Sequence, residues 1–358
     1  MNQENYNVIG VMSGTSLDGI DLAHISFKLI EGRWHFEIFE CETVAYTDDW
    51  PGKLKQAVSF SADGLEQLNF SYTQLLGKII KSFIEKHKIK GIDAVCSHGH
   101  TILHQPQNGL TLQIGNLPEI AEIVGQTVVC DFRVDDVALG GQGAPLVPIG
   151  DRMLFPDYDF CLNLGGFSNV SFETDAGRIA FDICPVNTVL NFYADLLGLD
   201  YDDKGAIARS GQVDHDLLSA LNAIAFYDQN WPKSLGFEFV KETVLPLIEG
   251  FDIPIENILR TFCQHVAIQI AAALPTKTGK MLVTGGGAYN DFLIERIRSH
   301  LPETDIVIPS KKILEFKEAL IFALLGVLKL RGEINVLASV TGALRDHSSG
   351  RIFNKLNF

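Results

Sequence analysis

Apolar and polar positions alternate along the first fifty residues. Tyr6 to Met12 is apolar and β-prone, Ile20 to Leu29 alternates, and Trp34 to Tyr46 alternates again as WHFEIFECETVAY. A two-residue period buries one face of a strand, and three such runs at this spacing predict an antiparallel meander. Asp18-Gly19, between the first two runs, is a hairpin-turn signal. From Gly64 to Lys88 the period changes, with Leu65, Leu68, Leu75, Leu76, Ile79, Ile80 and Phe83 at helical spacing. Short strands follow at Gly91 to Cys96, Leu110 to Ile114 and Thr127 to Phe132.

The segment Gly140 to Pro148 (GGQGAPLVP) breaks regular structure and reads as an inter-domain crossing. After it the pattern restarts, with strands at Asp159 to Leu164, Ser168 to Glu173 and Arg178 to Asp182. Helices are predicted at Thr188 to Leu197, His215 to Tyr227 and Ile258 to Leu274. The strand Lys280 to Thr284 runs into Gly285-Gly286-Gly287, a helix begins near Asp291, and a last helix covers Glu315 to Arg331. A strand–turn–strand–strand unit with a glycine- and hydroxyl-rich turn thus occurs twice, at 7–46 and 159–182. We divide the chain into domains at 1–138 and 139–358, α/β halves whose facing would form a ligand cleft.

Composition narrows the function. The 358 residues exceed one ordinary core, and 46% hydrophobic with 20% charged residues describes a soluble globular chain. A formal net charge of -15 argues against nucleic-acid or anionic-membrane binding. No basic segment followed by an apolar stretch opens the chain, and the longest apolar run, Ala319 to Leu328, is too short to span a bilayer. The six cysteines form no CxxC pair and mostly sit in apolar segments, which fits reduced, buried thiols in the cytoplasm.

Several segments carry candidate chemistry. Ser13 to Gly19 (SGTSLDG) lacks the lysine of a P-loop, yet its glycines and hydroxyls suit an anion as well as they suit a polar hairpin. Asn163 to Ser171 (NLGGFSNVS) repeats that chemistry between two strands. Thr284 to Asn290 (TGGGAYN) is no dinucleotide fingerprint, but three glycines at a strand end suit close approach of a flat ligand or of neighbouring backbone. Asp182, in FDICPVN, ends a buried strand and is placed to act as a general base. Capping does not account for it, since Pro185 at a first helical position makes Cys184 the cap, and a start capped by Asn187 does not use Asp182. The histidines of Ser97 to His104 (SHGHTILH) could bind zinc, but no carboxylate or cysteine completes a set, so they read as hydrogen-bonding groups lining a polar site. Arg133, among Asp131, Asp135 and Asp136, reads as either a surface ion-pair cluster or a ligand contact.

Together GTSLDGID (14–21), SHGHT (97–101), DFRVDDVALGGQGAPLVP (131–148), NLGGFSNVS (163–171), FDICPVN (181–187), KSLG (233–236), TGGGAYN (284–290), KEALIFALL (317–325) and SVTGA (339–343) resemble the motifs of the anhydro-N-acetylmuramic acid kinases, in order and over essentially the whole chain. The resemblance implies two duplicated actin-like (ribonuclease H-like) α/β domains with mixed sheets closing on ATP, the last helix packing back near the cleft. By the same resemblance, Gly14, Thr15, Ser16, Leu17, Asp18, Gly19, Ile20 and Asp21 form a first phosphate loop. Gly165, Gly166, Ser168 and Asn169 form a second, and Gly285, Gly286, Gly287 and Asn290 receive the adenosine. Asp182 matches the catalytic base, while Thr101, Arg133 and Glu318 match the sugar site. The implied reaction opens 1,6-anhydro-N-acetylmuramic acid with water and phosphorylates O6 from ATP with Mg²⁺, in recycling of bacterial cell wall. A homodimer is implied as well; no metal ligand is assigned.

Three positions depart from the family pattern. FDICPVN stands where FDTGPGN is more usual, SHGHT places His100 where an amide is expected, and KSLGFEF lacks the arginine often found after its glycine. These leave open a kinase for another amino sugar, or a non-catalytic ATP-binding module of the same fold.

Overall fold

The opening meander forms as its alternation requires. Strands β1 (Asn5–Ser13), β2 (Ile20–Ile30) and β3 (Arg33–Val44) pair antiparallel in sequence order. The computed structural model describes residues 3–14, 17–47 and 49–355. The connection from β1 to β2 is six residues, 14–19, rather than a two-residue Asp-Gly turn, because Ser13 already pairs with Ile20 across its base. Thr15 and Ser16 lie outside the described residues.

Two compact units divide the chain. The first comprises Met1–Phe155, Ala176–Arg178 and Phe316–Phe358. Its seven-stranded sheet adds β4 (Ala94–Gln105), β5 (Leu110–Ile114) and β6 (Val128–Cys130) to the meander. β4 runs parallel to β1 and to β6, while β5 pairs antiparallel with β4, so the sheet is mixed. The helix Ala62–Lys86 starts at Ser61, whose side chain accepts from Gly64 N–H, and buries Leu68, Tyr72, Leu76, Ile80 and Phe83. Their spacing of three and four residues makes one apolar stripe, and each such side chain contributes about 1.5–3 kcal/mol when fully buried.

The second unit comprises Pro156–Asp175 and Ile179–Glu315. Its mixed five-stranded sheet contains β7 (Phe160–Leu164), β8 (Phe167–Thr174), β9 (Gly177–Pro185), β10 (Thr278–Thr284) and β11 (Glu303–Val307), in the order β11-β10-β7-β8-β9. β10 is parallel to both β7 and β11, and β7 antiparallel to β8. The helix Ile255–Ala273 supplies much of this unit's core, including Phe262, Val266 and Ile270. The expected α/β architecture of two mixed-sheet halves holds.

Local details differ from the sequence pattern or add to it. The chain does not leave the first unit at 138 or within 140–148 but stays in it through Phe155, and it returns from Phe316 onward. A final strand, β12 (Arg351–Phe353), pairs antiparallel with β6, so the C-terminal segment completes the first sheet. Pro185 does not open a helix; it ends β9, an edge strand where a missing N–H costs no ladder bond. The helix begins instead at Asn187 and ends at Asp195.

The first unit depends on close seating of the helix Lys311–Arg331 on its sheet. Within this helix Phe316 is non-helical, and the part from Phe316 belongs to the first unit. A Cβ added at Gly10 in β1 would lie 2.0 Å from Ala319 O and 3.1 Å from Ala323 Cβ. No rotamer relieves a backbone clash, so Gly10→Ala should destabilise the protein by about 2–3 kcal/mol or block folding, as overpacking does. Chemical denaturation checks this, and a midpoint equal to that of the wild type refutes the packing argument.

Candidate active site

In the second unit, Asp182 lies in β9 and is half-buried. Its backbone N–H donates to Lys233 O at 3.1 Å, and its Oδ2 accepts from Leu235 N–H at 2.8 Å. Oδ1 has no partner among the described residues, so one carboxylate oxygen is fixed and the other available. Burial raises the Asp182 carboxyl above its ordinary value, and the Leu235 amide partly opposes that shift. Sequence reasoning took KSLG only as a matching motif. The backbone donor inside it left no side-chain signal.

The turn from β7 to β8 abuts the start of the helix Asn187–Asp195. Val186 N–H and Thr188 N–H donate to Gly166 O, and Asn187 N–H donates to Gly165 O. These bonds replace a side-chain cap, which this helix lacks. Gly166 is exposed, and Gly165 and Asn169 are half-buried. Ser168 is fully buried; its hydroxyl donates to Cys184 O at 3.0 Å and accepts from Cys184 N–H at 3.2 Å. It joins β8 to β9 instead of facing a ligand.

The glycine segment after β10 divides in the same way. A Cβ at Gly285 would lie 2.7 Å from Leu164 O, and one at Gly287 would lie 2.8 Å from Leu164 Cβ. Close approach to the end of β7 therefore requires these glycines before any ligand is considered. Gly286 is exposed, and Gly285 half-buried. Asn290 caps the helix Asp291–His300, its side chain accepting from Leu293 N–H at 2.9 Å.

In the first unit, Arg133 donates through Nε to His98 Nε2 at 2.8 Å and through an Nη to Gly143 O at 2.6 Å. Since His98 Nε2 accepts, its proton is on Nδ1, which donates to Gly99 O at 2.9 Å. Burial, followed by the Arg133 charge, holds His98 well below its usual range, so this neutral form persists at pH 7. Gly143 is fixed in turn by its N–H on the fully buried Asp136, whose other oxygen accepts from Thr341 Oγ1 at 2.7 Å. Asp136 is therefore an internal anchor and not part of a surface ion-pair cluster. Burial lowers Arg133 to about 10, opposed by Glu318 and Asp136, and it stays a cation.

Glu318 is solvent-exposed, yet protein crowds it enough that desolvation raises its carboxyl. Arg133 opposes that shift, and Asp21 adds to it, which brings these three charges into one neighbourhood. Thr101 is half-buried and accepts from Gln113 Nε2 at 3.4 Å. Ile20 is a core residue, and Asp21 accepts from Thr43 Oγ1 at 2.6 Å. Gly14 and Leu17 close the described part of the loop through Leu17 N–H to Gly14 O at 3.4 Å.

Among the described residues, no group of three His, Cys, Asp or Glu side chains could cage a metal ion. A Mg²⁺ arriving with ATP needs only one or two carboxylates, the rest of its shell being phosphate and water. Asp21, whose charge acts on Glu318, is a carboxylate that would meet that requirement. No helix among the described residues is long and apolar enough to cross a membrane.

Comparison with known proteins adds the family. The pattern described as anhydro-N-acetylmuramic acid kinase matches residues 6–355. A relative of that name from Pseudomonas fluorescens (strain Pf0-1) is 35% identical over 354 residues, covering 94% of this chain and 96% of its own. Another, from Bacillus cereus (strain 03BB102), is 33% identical over 375 residues, covering 96% and 98%. Among solved structures, an activator of the 2-hydroxyisocaproyl-CoA dehydratase from Clostridium difficile with bound ADPNP is similar at TM-score 0.43 and 14% identity, across 91% of this chain and 96% of that one. Matched from residue 6 to residue 355, the chain belongs to the anhydro-N-acetylmuramic acid kinase family.

Proposed function

We propose that this chain uses ATP to open 1,6-anhydro-N-acetylmuramic acid and phosphorylate its O6, with Asp182 as the base. The environment of Asp182 carries the reading. One oxygen is tethered by Leu235 N–H, the other is available, and the raised pKa makes the carboxylate a better proton acceptor than a free aspartate. A water proton passes to Asp182 while the water oxygen bonds to the anomeric carbon. The bond from that carbon to O6 breaks, and its electron pair goes to O6. O6 then bonds the γ-phosphorus as the bond to the bridging oxygen of ADP breaks. N-Acetylmuramic acid 6-phosphate and ADP result, and the proton on Asp182 leaves to solvent. Base attack opposite a leaving oxygen follows inverting-glycosidase logic, and phosphoryl transfer rests largely on positioning.

The remaining residues receive their parts from local geometry together with family membership. The backbone of Gly14, Leu17, Asp18 and Gly19 and that of Gly165 and Gly166 contact phosphates, and Gly285 and Gly286 contact adenosine. Ile20, Ser168, Gly287 and Asn290 support those segments from within. Asp21 would hold Mg²⁺, which would neutralise charge on the phosphates. Arg133, pre-oriented by His98 and Gly143, pairs with the lactyl carboxylate of the sugar, and Thr101 and Glu318 meet its polar groups. The reading includes a homodimer, which light scattering checks.

Asp182→Asn should lower kcat by about 10²–10⁴-fold, the range of a lost acid–base group, with ATP affinity unchanged. Mass detection of the phosphosugar reads the rate, and a wild-type rate would remove Asp182 from the base role. The acid limb of the wild-type pH profile should report a pKa above 3.8, since activity falls as Asp182 takes up its proton.

A second test separates the muramic substrate from other amino sugars. The wild type should prefer the anhydro sugar bearing a lactyl carboxylate over anhydro-N-acetylglucosamine, which lacks it. Arg133→Ala should raise KM for the former by about 10–100-fold, the scale of a hydrogen bond to a charged group, and leave the latter nearly unchanged. Equal losses on both sugars would refute the carboxylate assignment.

A further inference from the structure

Four side chains from four parts of the first unit meet at the base of the 14–19 loop. Ser13 ends β1, His100 lies in β4, Tyr46 follows β3, and Tyr72 comes from the helix Ala62–Lys86. Ser13, Tyr72 and His100 are buried. The Ser13 hydroxyl is 2.5 Å from Tyr46 Oη, 3.0 Å from Tyr72 Oη and 2.8 Å from His100 Nδ1, and the two tyrosine hydroxyls are 2.6 Å apart.

The meeting depends on a register shift. Val11 pairs with Ser97, but Ser13 pairs with His100, so β4 spends one extra residue opposite the end of β1. Such a bulge redirects side chains, and here it brings His100 onto the Ser13 hydroxyl. Ser13 also pairs with Ile20, the first residue of β2, so both ends of the 14–19 loop rest on this cluster. The Asp18 charge reaches Tyr46 from within the loop.

Proton counting fixes the imidazole. Four contacts need four donated protons, and the three hydroxyls supply three. The fourth comes from His100, which therefore carries its proton on Nδ1. Ser13 Oγ then accepts from Tyr72 and His100 and donates to Tyr46, which donates to Tyr72. Burial lowers His100 to about 4, so the ring is neutral near pH 7 and has a single N–H to place.

We propose that His100 is a positioning residue for nucleotide: its Nδ1–H locks Ser13 directly, together with the Tyr46–Tyr72 hydroxyls, and so sets the backbone from which the phosphate loop departs. This rests on the reading of Gly14 to Asp21 as a phosphate loop. The role asked of His100 is that of an N–H donor to Ser13, 2.8 Å away, and a primary amide side chain carries such a donor too.

Calorimetric titration of the full-length chain with a non-hydrolysable ATP analogue tests the proposal without requiring turnover. His100→Ala should weaken binding about fivefold or more, as loss of one buried hydrogen bond does, while the affinity for the anhydro sugar holds. His100→Gln, which keeps an N–H donor, should restore wild-type affinity. Tyr46→Phe, which removes only an oxygen, should weaken nucleotide binding in the same direction. Nitrogen-15 NMR of the wild type should show His100 protonated on Nδ1. Wild-type affinity in His100→Ala, no rescue by His100→Gln, or a proton on Nε2 would each overturn the proposal. Nucleotide binding by a wild type that phosphorylates no anhydro sugar would overturn the proposed reaction and leave this inference to be decided by the titrations. A wild type that binds no nucleotide would overturn both.

Discussion

The seating of one helix against one glycine governs the first unit. Gly10 lets the helix segment from Phe316 approach β1 until Ala319 O fills the space a side chain would occupy. At that depth Phe322 lies 4.6 Å, ring to ring, from His98 and 5.7 Å from Phe132. His98 is the group that receives Arg133 Nε, and Glu318 is one residue before Ala319. The buried pair of Lys317 with Asp151, at 2.7 Å, fixes the same turn of helix from its other side. A close-packed interior transmits a displacement at one contact to its neighbours. The orientation of the charged residues thus depends on a contact that has no charge.

Polar side chains in both units are aimed by partners remote in sequence. Asp182 takes its N–H from Leu235, 53 residues away. Arg133 is held by His98 and Gly143, and Gly143 by Asp136, which also binds Thr341. Asp136 keeps both oxygens satisfied, which a fully buried carboxylate requires. An arginine with two of its donors committed has less orientational freedom to lose when it meets a carboxylate.

The parts legible in the sequence are those governed by local pattern. The meander, the long helix and the strand Leu110–Ile114 follow from periodicity, which reports burial directly. The six-residue loop was hidden behind Asp18-Gly19, whose turn chemistry is the same in a longer connection. The unit boundary was hidden because the C-terminal segment completes a sheet begun at residue 5, a pairing that no local window contains. Ser168 and Asn290 matched site motifs, yet each bonds to backbone, in Cys184 and Leu293. A motif records that a residue type is needed at a position and does not say whether its polar atoms face inward or outward.

The same distinction bears on FDICPVN. Ile183, Cys184 and Val186 are all buried in the core of the second unit. Strand alternation turns Ile183 to the face opposite Asp182. Cys184 shares the Asp182 face but is sealed beneath Ser168, and burial pushes its thiol up to about 12, far from a reactive thiolate. The bulkier residues therefore fill volume behind the β9–Asn187 junction, where Val186 N–H binds Gly166 O. The Gly165-Gly166 turn itself is tied to the junction by backbone bonds, from Val186, Asn187 and Thr188 N–H. The departure alters how the junction is supported, while the tether from Leu235 N–H to Asp182 uses none of the three changed side chains.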